Sequence, residues 1–599
     1  MPQDGQGRWL VQTDRSELWM YTLSESYEPG EIIHIHASST ICRSFQVDIV
    51  RDGKIVHTTE TISVDFHKAP TRAFETGCGW PEVYQFKIPN DWPSGFYIMN
   101  GRCVGPNNNA GLNGPALAEH FFVLRPSLSD DRNLVTKHIN EKRILLICST
   151  NTWTSYNNWG GANHYASFEK TGNPRLHYSD EGFQVPMEEI MAGNTILSNC
   201  RPYSPGMVTL PDGYPRLPYS ALNAPSEINN ASVIRNMISL KGVDRGVLGG
   251  QQKASSWCQS TGWASYERFF YEWAVKDGYK VDMISNRDLH RYGRKILDHY
   301  KVCVCIGHDE YWSSGMRDEI DGYLDDGGRV ARFAGNFYWQ IRYEADPNAP
   351  KDGPPRQICH KYGAAKTDPV MGTKDQHLLT YEWESPLIGR PGCETFGLNG
   401  AMGLYARWLR SNPANPGGFT IYRPQHWALK NSGLCYGDML GGAAQDAVIF
   451  GFECDGLDYR IDDGVPFPTG NDGANVEATR IIGIGLCDNS GLPGDQRLNA
   501  AVRYGKTPDE LAGENLSKEM LKRAERGNGM IVEFYRGKGR VFHVGSTEWI
   551  VGLQQHRSDP TQCKSKMVEV ITQNVLNRFL DIKPFGTTWD DFGETVARL

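Results

Sequence analysis

The sequence contains no Cys-x-x-Cys pair, no apolar run long enough to cross a bilayer, no basic block, and no internal repeat or low-complexity segment. Each absence removes a class of function. Without cysteines at ligand spacing a zinc cluster is excluded. The 14 cysteines are scattered, several of them inside apolar runs such as Ile144-Leu145-Leu146-Ile147-Cys148 and Val302-Cys303-Val304-Cys305-Ile306, and read as reduced, buried thiols. A transmembrane helix needs about 18 consecutive apolar residues, and none occur together. The first residues, Met1 to Arg8, lack the apolar stretch of a signal peptide, so a soluble, cytoplasmic protein is expected. Lys and Arg number 62 against 70 Asp and Glu, and the net charge of -8 is spread along the chain. That balance argues against nucleic acid and anionic membrane as partners.

What is present points to a large enzyme. A chain of 599 residues exceeds what one hydrophobic core supports, so two or more domains are expected. Sixty-four glycines beside 11% aromatic residues suit irregular segments packed on a scaffold. From about Tyr21 to Val123 short alternating runs such as Glu31 to Ala37 and Phe45 to Val50 are split by turn signals, which predicts a β-sandwich over residues 1–125. Residues 126–139, with Arg125-Pro126-Ser127 at their start, read as a linker. Beyond it apolar strands alternate with amphipathic helices, as in Ser265 to Asp277 with Phe269, Phe270, Trp273 and Ala274 at helical spacing. That alternation predicts an α/β domain over 140–599, doubly wound around a mainly parallel sheet. The stretch 345–475 is rich in Gly and Pro and reads as a loop-rich excursion from it.

In open α/β sheets ligands bind beyond the carboxyl ends of the strands. Three polar clusters fall at such ends: Ser149 to Gly161, Gly307 to Trp312, and Ala334 to Trp339. Extended side chains alternate in direction, so His308 and Glu310 are expected to share a face while Asp309 points away.

Those segments resemble the N,N-dimethylformamidase large (beta) subunit family, with support from His426-Trp427, Glu453-Cys454-Asp455-Gly456 and Gly545-Ser546-Thr547-Glu548-Trp549. The resemblance spans most of residues 140 to 585. It implies an amidotransferase-like α/β fold behind an Ig-like sandwich, in a shorter relative without a further lectin-like domain. It also implies one mononuclear Fe3+ held by two tyrosines and a glutamate, with a histidine and an asparagine nearby. By motif, Glu310 is the glutamate, His308 the histidine, Asn336 the asparagine, and Tyr156, in Tyr156-Asn157-Asn158-Trp159-Gly160-Gly161, the first tyrosine. Tyr203, in Arg201-Pro202-Tyr203, is the choice for the second, with Tyr165, Tyr214 and Tyr219 as competitors. Two phenolates and a carboxylate would neutralise a ferric ion, and hard oxygen donors favour iron(III) over zinc. The implied activity is hydrolysis of a small amide to a carboxylic acid and an amine, with a small subunit and homo- or hetero-oligomers as expected partners.

Simpler readings stand beside these. Glu310 would also suit the N-terminus of the helix expected near Ser313. Asn336, after Gly335, suits a turn on backbone grounds alone. A lone tyrosine in an aromatic-rich chain is most often packing. Two other functions compete: a non-catalytic or carbohydrate-binding relative, and a cysteine-nucleophile amidotransferase, against which Cys303 and Cys305 lie inside a strand. The loops around Trp159 and Trp339 are the expected selectors of substrate.

Overall fold

A computed structural model describes residues 18–585 apart from 71, 106–117, 132, 166–193, 205, 211–259, 347–353, 404–416, 443–444, 446, 452, 489–525, 557–558 and 560. Its N-terminal unit is built from the alternating runs. Leu18–Thr22, Ile32–Ser39 and Glu82–Lys87 form one antiparallel sheet. A second sheet runs in the order Ser26–Tyr27, Ala118–Leu124, Gly95–Cys103, Ser44–Arg51, Lys54–Thr58. Period-2 alternation turns Phe45, Val47 and Ile49 inward, where they share one core with Ile33, Ile35 and Phe122. Here the expectation of reduced cysteines needs correcting: Cys42 and Cys103, with Cα atoms 5.9 Å apart, form a disulfide. Sequence spacing could not show this, because the pair is 61 residues apart and meets only through the sheet.

The stretch read as a linker contains the helix Leu134–Asn140. The two units then meet through aromatic rings and one buried acid. Phe96 stacks on Trp263 at 4.2 Å between ring centroids, and Glu25 accepts the Thr150 hydroxyl at 2.7 Å.

The largest sheet has nine strands in the order Lys280–Ser285, Arg143–Cys148, Val302–His308, Arg329–Gly335, Gly539–His543, Arg526–Arg536, Thr479–Asp488, Gly418–Ile421, Met439–Gly441. The first five are mutually parallel, and every pairing from Gly539–His543 onward is antiparallel. The sheet is therefore mixed rather than mainly parallel. Two strands of the supposed excursion, Gly418–Ile421 and Met439–Gly441, close its far edge. Short runs in a Gly-rich context gave no period by which to recognise them. Among the described residues no helix is long and apolar enough to cross a membrane.

Helix starts follow local chemistry. Ser285 and Asp288 form a reciprocal capping box for Asn286–Tyr292. Ser313 caps Ser314–Asp325 by accepting the Met316 N–H at 3.2 Å. That helix is thus capped by a serine, and Glu310 is left for other work.

The helix Glu267–Lys276 buries Phe270, Trp273 and Ala274, but also Glu267, which accepts from Ser149 N and Trp153 Nε1, both at 3.2 Å. Burial pushes the Glu267 carboxyl up to about 7 from 4.5. The native state then binds a proton that the unfolded chain releases, so stability falls as pH rises between those values and levels off above them. Glu267→Gln, which mimics the neutral acid, is expected to be nearly neutral at pH 4.5. Above pH 7 the gain approaches roughly 3 kcal/mol, from about 2.5 units at 1.36 kcal/mol each. Urea titrations at the two pH values check this, and an equal gain at both would refute the proton linkage.

Candidate metal centre

Three carboxyl ends of the parallel strands converge. His308 is the last residue of Val302–His308 and pairs with Gly335, the last of Arg329–Gly335. Tyr156 closes the helix Thr150–Tyr156, which leaves the end of Arg143–Cys148. Two glycines let the surrounding chain come close. Gly307 has φ +69°, and a Cβ there would meet the Tyr266 ring at 2.4 Å. At Gly335 a Cβ would lie 2.7 Å from the Glu453 carbonyl oxygen. That second close approach brings in Glu453, beside the short strand Cys454–Gly456.

Strand alternation sorts the three polar residues. Asp309 turns into the interior, where it binds the Arg332 guanidinium and accepts Trp312 Nε1 at 2.9 Å. On the other side His308 Nε2 lies 3.3 Å from Glu310 and 3.0 Å from Glu453, and all three residues are buried. His308 Nδ1 lies 2.7 Å from the Ser260 carbonyl, which can only accept. Nδ1 therefore keeps its hydrogen, and Nε2 is the atom free to gain and lose one.

Glu310 is also the meeting point of two tyrosines. Tyr156 donates to it at 3.0 Å, and Tyr165 reaches its two oxygens at 2.6 and 2.7 Å. Asn163 ties the two tyrosine segments together, donating to the Tyr156 carbonyl at 3.2 Å and accepting the Tyr165 N–H at 2.8 Å. Asn336 sits at φ +64°, a conformation asparagine tolerates better than most residues. Asp455 holds this turn by accepting the N–H groups of Asn336 and Phe337 at 2.6 and 3.1 Å. The Asn336 Nδ2 donates to Glu453 at 2.6 Å and lies 3.0 Å from His308 Nε2, while its buried Oδ1 has no hydrogen-bond partner among the described residues. The backbone and site readings of Asn336 are therefore compatible.

Tyr203 lies where the two units meet. Its hydroxyl is 3.2 Å from Thr154 Oγ1, and its ring packs edge-on against Phe121 at 5.0 Å, in the cluster where the two units meet. Tyr165, only nine positions after Tyr156, stands at Glu310 in its stead. Tyr214 and Tyr219 lie outside the described residues. Nothing in the local pattern around Glu453 marks it as a site residue. Trp159 packs against Trp19 and Trp80 of the N-terminal unit, at 5.7 and 5.8 Å between centroids. Trp339 does adjoin the site, donating its backbone N–H to the Glu310 carbonyl at 2.9 Å.

The electrostatics follow from burial opposed by pairing. Burial pulls the His308 imidazolium down, but the hydrogen bonds and charges of Glu310 and Glu453 outweigh it and push it up to about 10. Burial raises Glu310, yet His308 and Lys361 hold it below its usual value. Glu453 stays above its usual value because burial dominates. Tyr156 and Tyr165 are held well above the usual phenol range, first by burial and then by the Glu310 charge. Without a cation they are neutral donors to Glu310. Two phenols and a carboxylate packed this tightly form an all-oxygen donor set that suits a hard, highly charged ion, which would stabilise both phenolates directly.

A family model described as "N,N-dimethylformamidase beta subunit-like, C-terminal" matches residues 49–563. The chain belongs to that family. Among curated relatives, the N,N-dimethylformamidase beta subunit of Alcaligenes sp is 25% identical over 319 residues, 52% of this chain and 36% of that one. The N,N-dimethylformamidase beta subunit of Paracoccus aminophilus is 32% identical over 71 residues, 12% of this chain and 9% of that one. The matched part thus spans about a third of the length of the first relative. Among solved structures, the sulfur carrier protein SoxY from Chlorobium limicola f thiosulfatophilum matches 19% of this chain and 81% of its own, at 9% identity. Its TM-score is 0.11, too low to bear on the fold.

Proposed function

We propose that this family member is an amide hydrolase whose cluster holds a mononuclear iron(III) through Tyr156, Tyr165 and Glu310, within an amidotransferase-like α/β domain. The observation that carries this reading is the convergence of two tyrosine hydroxyls on one buried carboxylate, with His308, Glu453 and Asn336 beside it. When bound, the ion supplies Lewis-acid polarisation of a carbonyl and makes water more acidic.

The remaining work falls to side chains. Glu453, kept basic enough by burial to accept a proton, takes one from the attacking water. His308 carries its mobile proton at Nε2, between the two carboxylates, and delivers it to the departing amine nitrogen. Water and amide thereby become acid and amine, with one proton taken up and one given. Asn336 Nδ2 holds Glu453 and faces His308 Nε2; when Nε2 is protonated that second contact turns repulsive, and the amide hydrogen serves the developing oxyanion instead.

The substrate we infer is a small N-alkyl amide, given the relatives' printed names. A second subunit and an oligomer are proposed on the same ground. Metal analysis with a visible spectrum, followed by a screen of N-alkyl amides for acid and amine release, tests the proposal. Iron, colour and turnover together are expected. A colourless, metal-free protein with affinity for sugars would instead favour the carbohydrate-binding reading.

A further inference from the structure

Lys361 is a cation placed where burial alone would disfavour one: it is 5% exposed and enclosed by three aromatic rings. Its Nζ stands 3.2 Å from the Tyr165 ring centroid, 5.0 Å from that of Trp339 and 5.3 Å from that of Tyr311. Tyr311 also donates its hydroxyl to that of Tyr165 at 2.8 Å. The Lys361 backbone is left-handed, at φ +51°, and its N–H donates to the Thr380 carbonyl at 3.0 Å. Lysine is an unfavoured residue for that conformation, so the surrounding chain holds it there against local strain.

The position is specific. An ammonium on the ring face of Tyr165 does not compete for the phenol oxygen, which points at Glu310. It stabilises negative charge delocalised into the ring, and a phenolate carries far more of that than a phenol.

Two phenolates and Glu310 balance a ferric ion, and the fourth acid, Glu453, is met by the His308 imidazole 3.0 Å away, so Lys361 acts on the Tyr165 ring and not on the count of acids. Arg332 is committed to Asp309 on the far side of the strand. Resting on the iron reading above, we propose that Lys361 is a positioning residue that tunes the Tyr165 phenolate through its ring face.

The test compares the wild-type protein with Lys361→Met, which keeps the length of the stem, and Lys361→Arg, which keeps the charge and stacks on aromatic faces. Each is assayed for iron content and visible absorption. Tyrosinate-to-iron absorption moves an electron off the phenolate ring, and a cation above that ring makes the move harder. Loss of the charge is therefore expected to shift the band to longer wavelength in Lys361→Met, while Lys361→Arg keeps the wild-type position. A purely structural lysine would not move the band. If Lys361→Met loses iron altogether, the arginine variant decides: retained iron and band support the charge role, and loss in both overturns it. An unmoved band in an iron-loaded Lys361→Met overturns this inference alone. A wild-type protein with neither iron nor colour removes the metal reading and this inference with it.

Discussion

Glu310→Gln is expected to yield a folded protein with no bound iron and amide hydrolysis at background. Glutamine keeps the volume and one acceptor oxygen, so the backbone N–H that Glu310 donates to Thr152 Oγ1 at 3.0 Å survives, and so does the packing. What it removes is the charge on which Tyr156, Tyr165 and His308 all converge. The donor set then offers two phenols that burial already holds neutral and no charged oxygen of its own, since Glu453 is engaged by His308 and Asn336. His308 loses one of the two carboxylates that push it up to about 10, so its proton affinity falls as well. The combined loss should exceed the ~10²–10³-fold cost of removing a single oxyanion donor. Metal analysis, the visible spectrum and product release read the three effects separately, with circular dichroism confirming the fold. A variant that keeps its iron and a near wild-type rate would end the assignment of Glu310.

How much of this was legible beforehand depended on whether the signal was local. The pair His308 and Glu310 could be placed on one face because alternation within a strand is a local rule, and Asp309 could be sent to the other side for the same reason. A helix starting near Ser313 was legible too, but its cap was not: Ser313 itself takes that place and not Glu310. The antiparallel half of the large sheet did not, since Gly418–Ile421 and Met439–Gly441 are short and become strands only by pairing with distant partners. Glu453 was hidden for a related reason: it reaches His308 because Gly335 lets a separate chain segment pass against it. Lys361 likewise comes from a distant segment, folded back so that its ammonium lies over Tyr165. Long-range juxtaposition is a property of the fold that no window of the sequence displays.

The two tyrosines test that lesson most sharply. Tyr203 is pointed to by its Arg201-Pro202-Tyr203 segment, which resembles the one that follows the first tyrosine motif in the family, whereas Tyr165 is pointed to by the oxygen atoms it touches. The expected results of removing each hydroxyl therefore diverge. Tyr203→Phe loses one neutral contact to Thr154, worth about 1 kcal/mol, and leaves the ring in its slot against Phe121 and His120. It should keep its iron, colour and turnover. Tyr165→Phe removes one of the two phenolate donors and also breaks the contact to the Tyr311 hydroxyl. Iron affinity should drop by more than the ~10–100-fold that loss of an outer-shell partner costs. Whatever iron remains should show a weaker absorption band carried by Tyr156 alone. Competition with a chelator, followed by the spectrum, measures both quantities. Because Lys361 sits on the Tyr165 ring and the phenylalanine ring preserves that seat, the loss would report the oxygen rather than a collapsed cage. Full colour in Tyr165→Phe together with bleaching in Tyr203→Phe would reverse the assignment and require the chain around Tyr203 to swing into the site when metal binds.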